Sequence, residues 1–260
     1  MSKDLDKVKA IIDNSGNTFH CKVLRYLHER EWGVLVSPYY NDNISGKPRE
    51  IDLIAEKAFN KMDGGGSILG TVNVKLFIEC KYIPQKTVFW FHNKDKQKAE
   101  DLVIQKTPLK RNNSYTKRHH YLEGEDSVAK LFTDERKKSV ENEVFYKALS
   151  QSLNAMVYYR DKGSIIRSPH PRRGEVLEIV NYPIIVCNSF NNLYRVEIDT
   201  DAEPTNITEN FQLEVNYAYT TLDGGNNNEY FLIDIVSFDL LESFLEKIEV
   251  DTRLFCIFLR

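Results

Sequence analysis

Cysteine is scarce in this chain. Its four residues, Cys21, Cys80, Cys187 and Cys256, are widely separated and form no CxxC or Cys/His pair. That spacing excludes a zinc ribbon and a disulfide framework, and fits free thiols in a reducing compartment. Long apolar runs are also missing: none approaches the roughly 18 residues of a membrane span. The N-terminal MSKDLDKVK has charges where a secretory leader needs an apolar stretch, so the expectation is a cytoplasmic protein with no membrane partner. The triplet Gly64-Gly65-Gly66 lacks the Lys-Ser/Thr of a phosphate loop and reads as a hairpin turn. Neither Ser168 nor Ser189 stands in a nucleophile–base arrangement with the scattered histidines.

With 42% apolar and 28% charged residues, the chain can bury a core and reads as globular. The net charge of -3 hides an uneven distribution. Between Lys86 and Arg118 bases outnumber acids, and Arg167, Arg172 and Arg173 form a second basic group, whereas the chain after Glu175 is mostly acidic. Lys94, Lys96, Lys98, Lys110, Arg111, Arg172 and Arg173 are therefore candidate phosphate contacts, although such a stretch is also what a solvated insertion looks like.

Apolar periodicity predicts helices over 2–13 and 17–31, the first with a stripe of Leu5, Val8, Ile11 and Ile12. Extended segments follow over 34–40, 50–57 and 71–83, the last two as an antiparallel pair across the Gly turn. The 85–137 segment reads as a basic insertion with short helices. In it Phe89-Trp90-Phe91 packs onto the core or stacks on bases, and His119-His120 is solvent-exposed. A buried helix is expected over 138–160, and strands over 176–187, 193–198, 211–220 and 229–236. A helix over 239–248 and a last strand from Arg253 to Leu259 complete the expectation. The whole reads as one α/β domain over 1–260, its core about 15–84 and 138–260.

The chemistry is concentrated in two strands. Glu79 and Lys81, two apart, share a face at the end of an otherwise apolar run, where charge is costly unless paired or functional. If the neighbouring strand brings Asp52 beside Glu79, the two carboxylates repel, and a hard divalent cation relieves the repulsion. Such an ion polarises a phosphate and acidifies its bound water, while Lys81 holds that water or stabilises the developing charge. The Cys80 carbonyl and the Glu50 carboxylate are further candidate ligands. A plain cross-strand ion pair is the structural alternative.

The stretch GNTFHCKVLRYLHEREWGVLVSPYYNDNISGKPREIDLIAEK followed by LFIECKYIP resembles the PD-(D/E)XK nuclease superfamily. The likeness covers residues 15–84, with the helix near 141–160 and the strand 182–187 continuing it. It implies a mixed central β-sheet flanked by helices, that is, a restriction-endonuclease-like core carrying an insertion. It also implies a nuclease dependent on Mg2+ or Mn2+, with Asp52, Glu79 and Lys81 as motif residues and nucleic acid, DNA first, as the partner. Duplex cutting calls for two sites, hence a homodimer. Two positions depart from the pattern: Ile51 replaces proline, and His20 stands where many members carry a helix-borne glutamate. Gln151, between Ala148 and Ala155 on one helical face, resembles a glutamine of some branches. The rival expectations are a catalytically decayed nucleic-acid-binding module and a protein-interaction domain.

Overall fold

The computed structural model describes residues 2–43, 45–124, 126–135, 144–165, 176–221 and 224–259. Two N-terminal helices, α1 (Ser2–Asn14) and α2 (Asn17–Glu29), precede strand β1 (Gly33–Val36) and the short pair β2 (Tyr39–Asn41) and β3 (Pro48–Glu50). The hairpin β4 (Leu53–Met62) and β5 (Ile68–Lys81) comes next, then β6 (Thr87–Asn93), α3 (Lys96–Lys106) and β7 (Ser127–Asp134). Helix α4 (Val144–Tyr159) leads to β8 (Val176–Cys187), β9 (Leu193–Glu197), β10 (Thr205–Asn206), β11 (Phe211–Thr220) and β12 (Asn226–Ser237), and α5 (Leu241–Phe258) closes the described chain.

Among the described residues, ten strands form one mixed sheet in the order β1-β4-β5-β8-β12-β11-β7-β6-β9-β10, with β2 and β3 as a separate pair. Alternation along β5 shows why this strand is central. Val72, Val74, Leu76, Ile78 and Cys80 join one buried cluster, shared with α2, α3 and α5, while Phe77 joins the other, under α4. Both faces of β5 are buried, and its polar members Asn73, Lys75 and Glu79 are buried with them. β5 runs antiparallel to β4 and parallel to β8, so α4 serves as the crossover between two parallel strands. The β4–β5 turn is closed by Asp63 and Ser67, with Gly66 at φ 84, a conformation that glycine takes without cost.

Two regions depart from the sequence expectation. The segment 85–137 is built into the sheet rather than appended to it. β6 and β7 occupy its interior: Phe89 and Phe91 are buried in the core, while Trp90 between them is partly exposed on the other face. The expected last strand, Arg253–Leu259, is the end of α5: Ile248, Leu254 and Phe255 continue the helical spacing begun by Leu241, Phe244 and Leu245, all buried against the sheet. The stripe on α1 forms as a helix, but Leu5, Val8, Ile11 and Ile12 are exposed. Among the described residues, no helix is long and apolar enough to cross a membrane.

Candidate metal centre

Asp52 lies between β3 and β4, at the point where the chain enters the sheet. Its carbonyl accepts the N–H of Ser37 at 2.9 Å, and Ser37 adopts φ 51 to make that turn. The neighbouring Ile51 N–H bonds Pro38 at 3.2 Å, so the backbone around Asp52 is held from both sides. Glu79 and Lys81 lie near the end of β5, one and three residues beyond the last β4–β5 register pair, Leu53 with Ile78. Hairpin register therefore delivers all three side chains to one end of the sheet.

The contacts there are close. The Asp52 N–H donates to Glu79 Oε1 at 3.3 Å, and Asp52 Oδ2 accepts the Cys80 N–H at 2.7 Å. Lys81 Nζ lies 2.7 Å from Glu79 Oε2 and 4.0 Å from Asp52 Oδ2. His20, on α2, brings Nε2 to 3.2 Å from the same Asp52 oxygen. Glu79 is fully buried, and burial pushes its carboxyl up to about 8 against the pull of Lys81. Burial also opposes the charge on Asp52, but His20, Lys81 and the Cys80 N–H outweigh it and hold that carboxyl below its usual range. Lys81 is kept charged because Glu79 and Asp52 overcome its burial. The bond to Asp52 raises His20.

The grouping of potential ligand atoms differs from the expected one. Asp52, His20 and the Cys80 thiol lie mutually within 4.8 Å, whereas the Glu79 carboxylate is turned to Lys81. The thiol is buried and pushed well up, so it is a neutral group on the apolar side of β5. Glu50 is not brought to the site. It pairs with Tyr39 across β2 and β3, and its side chain bonds the Tyr39 hydroxyl. Gln151, on α4, donates from Nε2 to the Glu50 carbonyl at 2.9 Å, and its buried Oε1 has no hydrogen-bond partner. Thus Glu50 and Gln151 support the approach to Asp52 through backbone.

The basic residues do not converge here. Lys96 and Lys98 lie on α3, which packs on β12, two strands from β5 in the sheet. Lys94 donates to the Tyr121 carbonyl at 2.9 Å, and burial lowers its pKa. Lys96 pairs with Asp126 at 2.7 Å, Lys98 with Asp95 at 3.3 Å, and Arg111 with Asp101, while Lys110 is exposed. Arg167, Arg172 and Arg173 lie outside the described residues. The histidine pair was missed: His119 and His120 are buried, not solvent-exposed, because Asp251 of α5 and Asp234 of β12 supply partners that no local pattern reveals. Comparison with known proteins finds no matching family model, no matching characterised protein and no matching solved structure.

Proposed function

We propose that this chain is a metal-dependent nuclease with a restriction-endonuclease-like core, in which Asp52, Glu79 and Lys81 carry the chemistry. The observation that supports it best is the convergence itself: Lys81 Nζ lies 2.7 Å from the Glu79 carboxyl and 4.0 Å from that of Asp52, and the Asp52 backbone N–H meets Glu79 Oε1 at 3.3 Å, at the end of a buried, mostly apolar strand. The order α2, β1, β4, β5, then α4 and β8, is consistent with the order of elements on which the resemblance rests.

Asp52 and Glu79 offer oxygen donors of the kind a hard divalent cation takes, with the Glu79 carboxyl here turned to Lys81. Glu79 is a fully buried carboxyl that holds its proton to about pH 8, and a bound cation supplies charge in place of that proton. Asp52 and Glu79 would hold the ion, with the Cys80 carbonyl as a third oxygen, and Mg2+ or Mn2+ would supply Lewis acidity toward phosphate and water. Lys81 stays cationic and reaches both carboxylates, which places it to hold an attacking water and to offset charge on the phosphoryl oxygens. His20 orients Asp52 through the 3.2 Å contact.

The substrate is nucleic acid, with DNA taken first, and duplex cleavage would use two copies of the chain. The test is incubation with plasmid and single-stranded DNA in Mg2+, Mn2+ or EDTA, beside an Asp52→Ala control. Metal-dependent cutting absent from the control supports the reading; full activity in the control overturns it.

One observation favours a second reading, a catalytically decayed nucleic-acid-binding module. Asp52 Oδ2 already meets Cys80 N–H, His20 and Lys81, and so is occupied by the protein's own groups. DNA binding with no Mn2+ or Mg2+ uptake by calorimetry would select it.

A further inference from the structure

A second cluster of titratable groups, separate from that around Asp52, has the outward look of a metal site. His119, His120 and Asp251 bring ligand atoms within 4.8 Å of one another, and all three are buried. Their hydrogen bonds argue otherwise. The Tyr121 N–H donates to His119 Nδ1 at 3.1 Å, so that nitrogen carries a lone pair and the ring proton sits on Nε2. Nε2–H then faces Asp251 Oδ2 at 3.4 Å and the Tyr182 hydroxyl at 3.3 Å. A metal on Nε2 would force a proton onto Nδ1, directly against the Tyr121 N–H.

His120 meets carboxylates at both ring nitrogens. Nδ1 bonds Asp251 Oδ2, Nε2 lies 3.3 Å from Asp234 Oδ2, and the His120 backbone N–H donates to Asp251 Oδ1 at 3.1 Å. Ionised carboxylates only accept, so both ring nitrogens must donate, which defines an imidazolium. Charge balances locally: Asp234 and Asp251 face His120 and Lys94, whose Nζ is anchored on the Tyr121 carbonyl.

We propose that His119-His120 is a proton-charged latch: the His120 imidazolium, held by carboxylates of two separate elements, clasps the segment after α3 onto β12 and α5, and releases it when that proton leaves. The groups facing His120 are Asp251 from α5, Asp234 from β12, Tyr182 from β8, and His119, Tyr121 and Lys94 from the clasped segment and its approach. Lys247 and Glu123 line, with it, a cavity of about 410 Å³.

Burial alone would lower both rings. It does so for His119, to about 3, whereas the two aspartates overcome it and hold His120 near 9. Because the folded value of His120 is raised above 6.5, its stabilisation is whole below pH 6.5 and is lost as pH rises through about 9. The two values correspond to roughly 300-fold in the unfolding equilibrium constant.

The test is a pH titration of protein labelled with 15N in histidine, with amide exchange read in parallel. Expected are a doubly protonated His120 at pH 7 that titrates near pH 9, and a neutral His119 protonated on Nε2. Amides of 113–124 should then exchange faster, relative to those of α4, as His120 deprotonates. Asp234→Asn, which keeps the Asp251 contact, should shift the His120 midpoint down by a unit or more, with the circular dichroism of the folded chain unchanged. A neutral His120 at pH 7 would overturn the proposal. So would uptake of Zn2+ with both rings as ligands, or exchange that ignores the His120 titration.

Discussion

Glu79 offers the sharpest quantitative test of the Asp52 site. Its carboxyl is fully buried and raised from 4.5 to about 8, so the folded protein holds a proton that the unfolded chain releases. A raised folded value means that the stabilisation is whole below 4.5 and is lost as pH rises through about 8. Each pH unit in that window is worth about 1.4 kcal/mol, so the metal-free protein should lose about 4 kcal/mol between pH 5 and pH 8 through this one group. Glu79→Gln removes the titration. It also faces Lys81 with an amide in place of the oxygen at 2.7 Å, a constant offset of roughly 1 to 3 kcal/mol that does not depend on pH while Lys81 stays charged. The slope of the difference is therefore the informative quantity. Urea unfolding in EDTA at pH 5, 6, 7 and 8 should show the variant gaining on the parent by about 4 kcal/mol across the series. Adding Mn2+ should stabilise the parent and leave the variant unmoved. Parallel curves would refute the reasoning, because they would mean that Lys81 keeps Glu79 ionised without any metal.

The same proton makes metal uptake pH-dependent. Calorimetry in buffers of different ionisation enthalpy should show a proton released per ion and affinity rising about tenfold per unit below pH 8, and a flat profile would exclude Glu79 as a ligand. Lys81→Met should lower cleavage by about 100-fold or more with DNA affinity unchanged by gel shift, since the ammonium acts on the developing charge. Lys75→Met should cost about 3 to 5 kcal/mol in urea melts. It strips the buried partner from Glu56 at 3.9 Å and from the carbonyls of Lys162 and Gly163, both at 2.6 Å. The exposed Lys96→Ala, which loses only the Asp126 contact, should stay within about 1 kcal/mol of the parent.

The two strands that matter were legible for a physical reason. An apolar run of period two that ends in Glu-Cys-Lys has few uses, and the Gly turn set the hairpin register that carries Asp52 to Glu79. Helix α2 was legible from its periodic buried residues Val23 and Leu27, and strands β8 and β12 from the buried, largely apolar stretches that end them. What sequence hid were features fixed by distant partners. The 85–137 segment looked polar because only one face of α3 and alternate residues of β6 are buried, and an average over such a window conceals Phe89, Phe91, Ala99 and Val103. Arg253–Leu259 looked like a strand because β-propensity favours Phe and Ile. Tertiary packing decided instead, since Leu254 and Phe255 extend the buried face begun at Leu241.

The setting of the charged residues also depends on partners distant in sequence. Taken one by one, Lys94, Lys96, Lys98 and Arg111 are cations suited to phosphate, and His119-His120 is a polar dipeptide suited to solvent. Each is matched in space by an acid or a carbonyl drawn from up to 131 residues away, as His120 is by Asp251. Pairing of this kind changes the functional argument. A cation already holding a carboxylate must break that contact before it can hold a phosphate, so the net contribution of each paired base to DNA affinity is smaller than its formal charge suggests. The salt dependence of binding should accordingly report fewer phosphate contacts than the number of basic residues between Lys86 and Arg118. A slope that counts them all would mean that the pairs open on DNA.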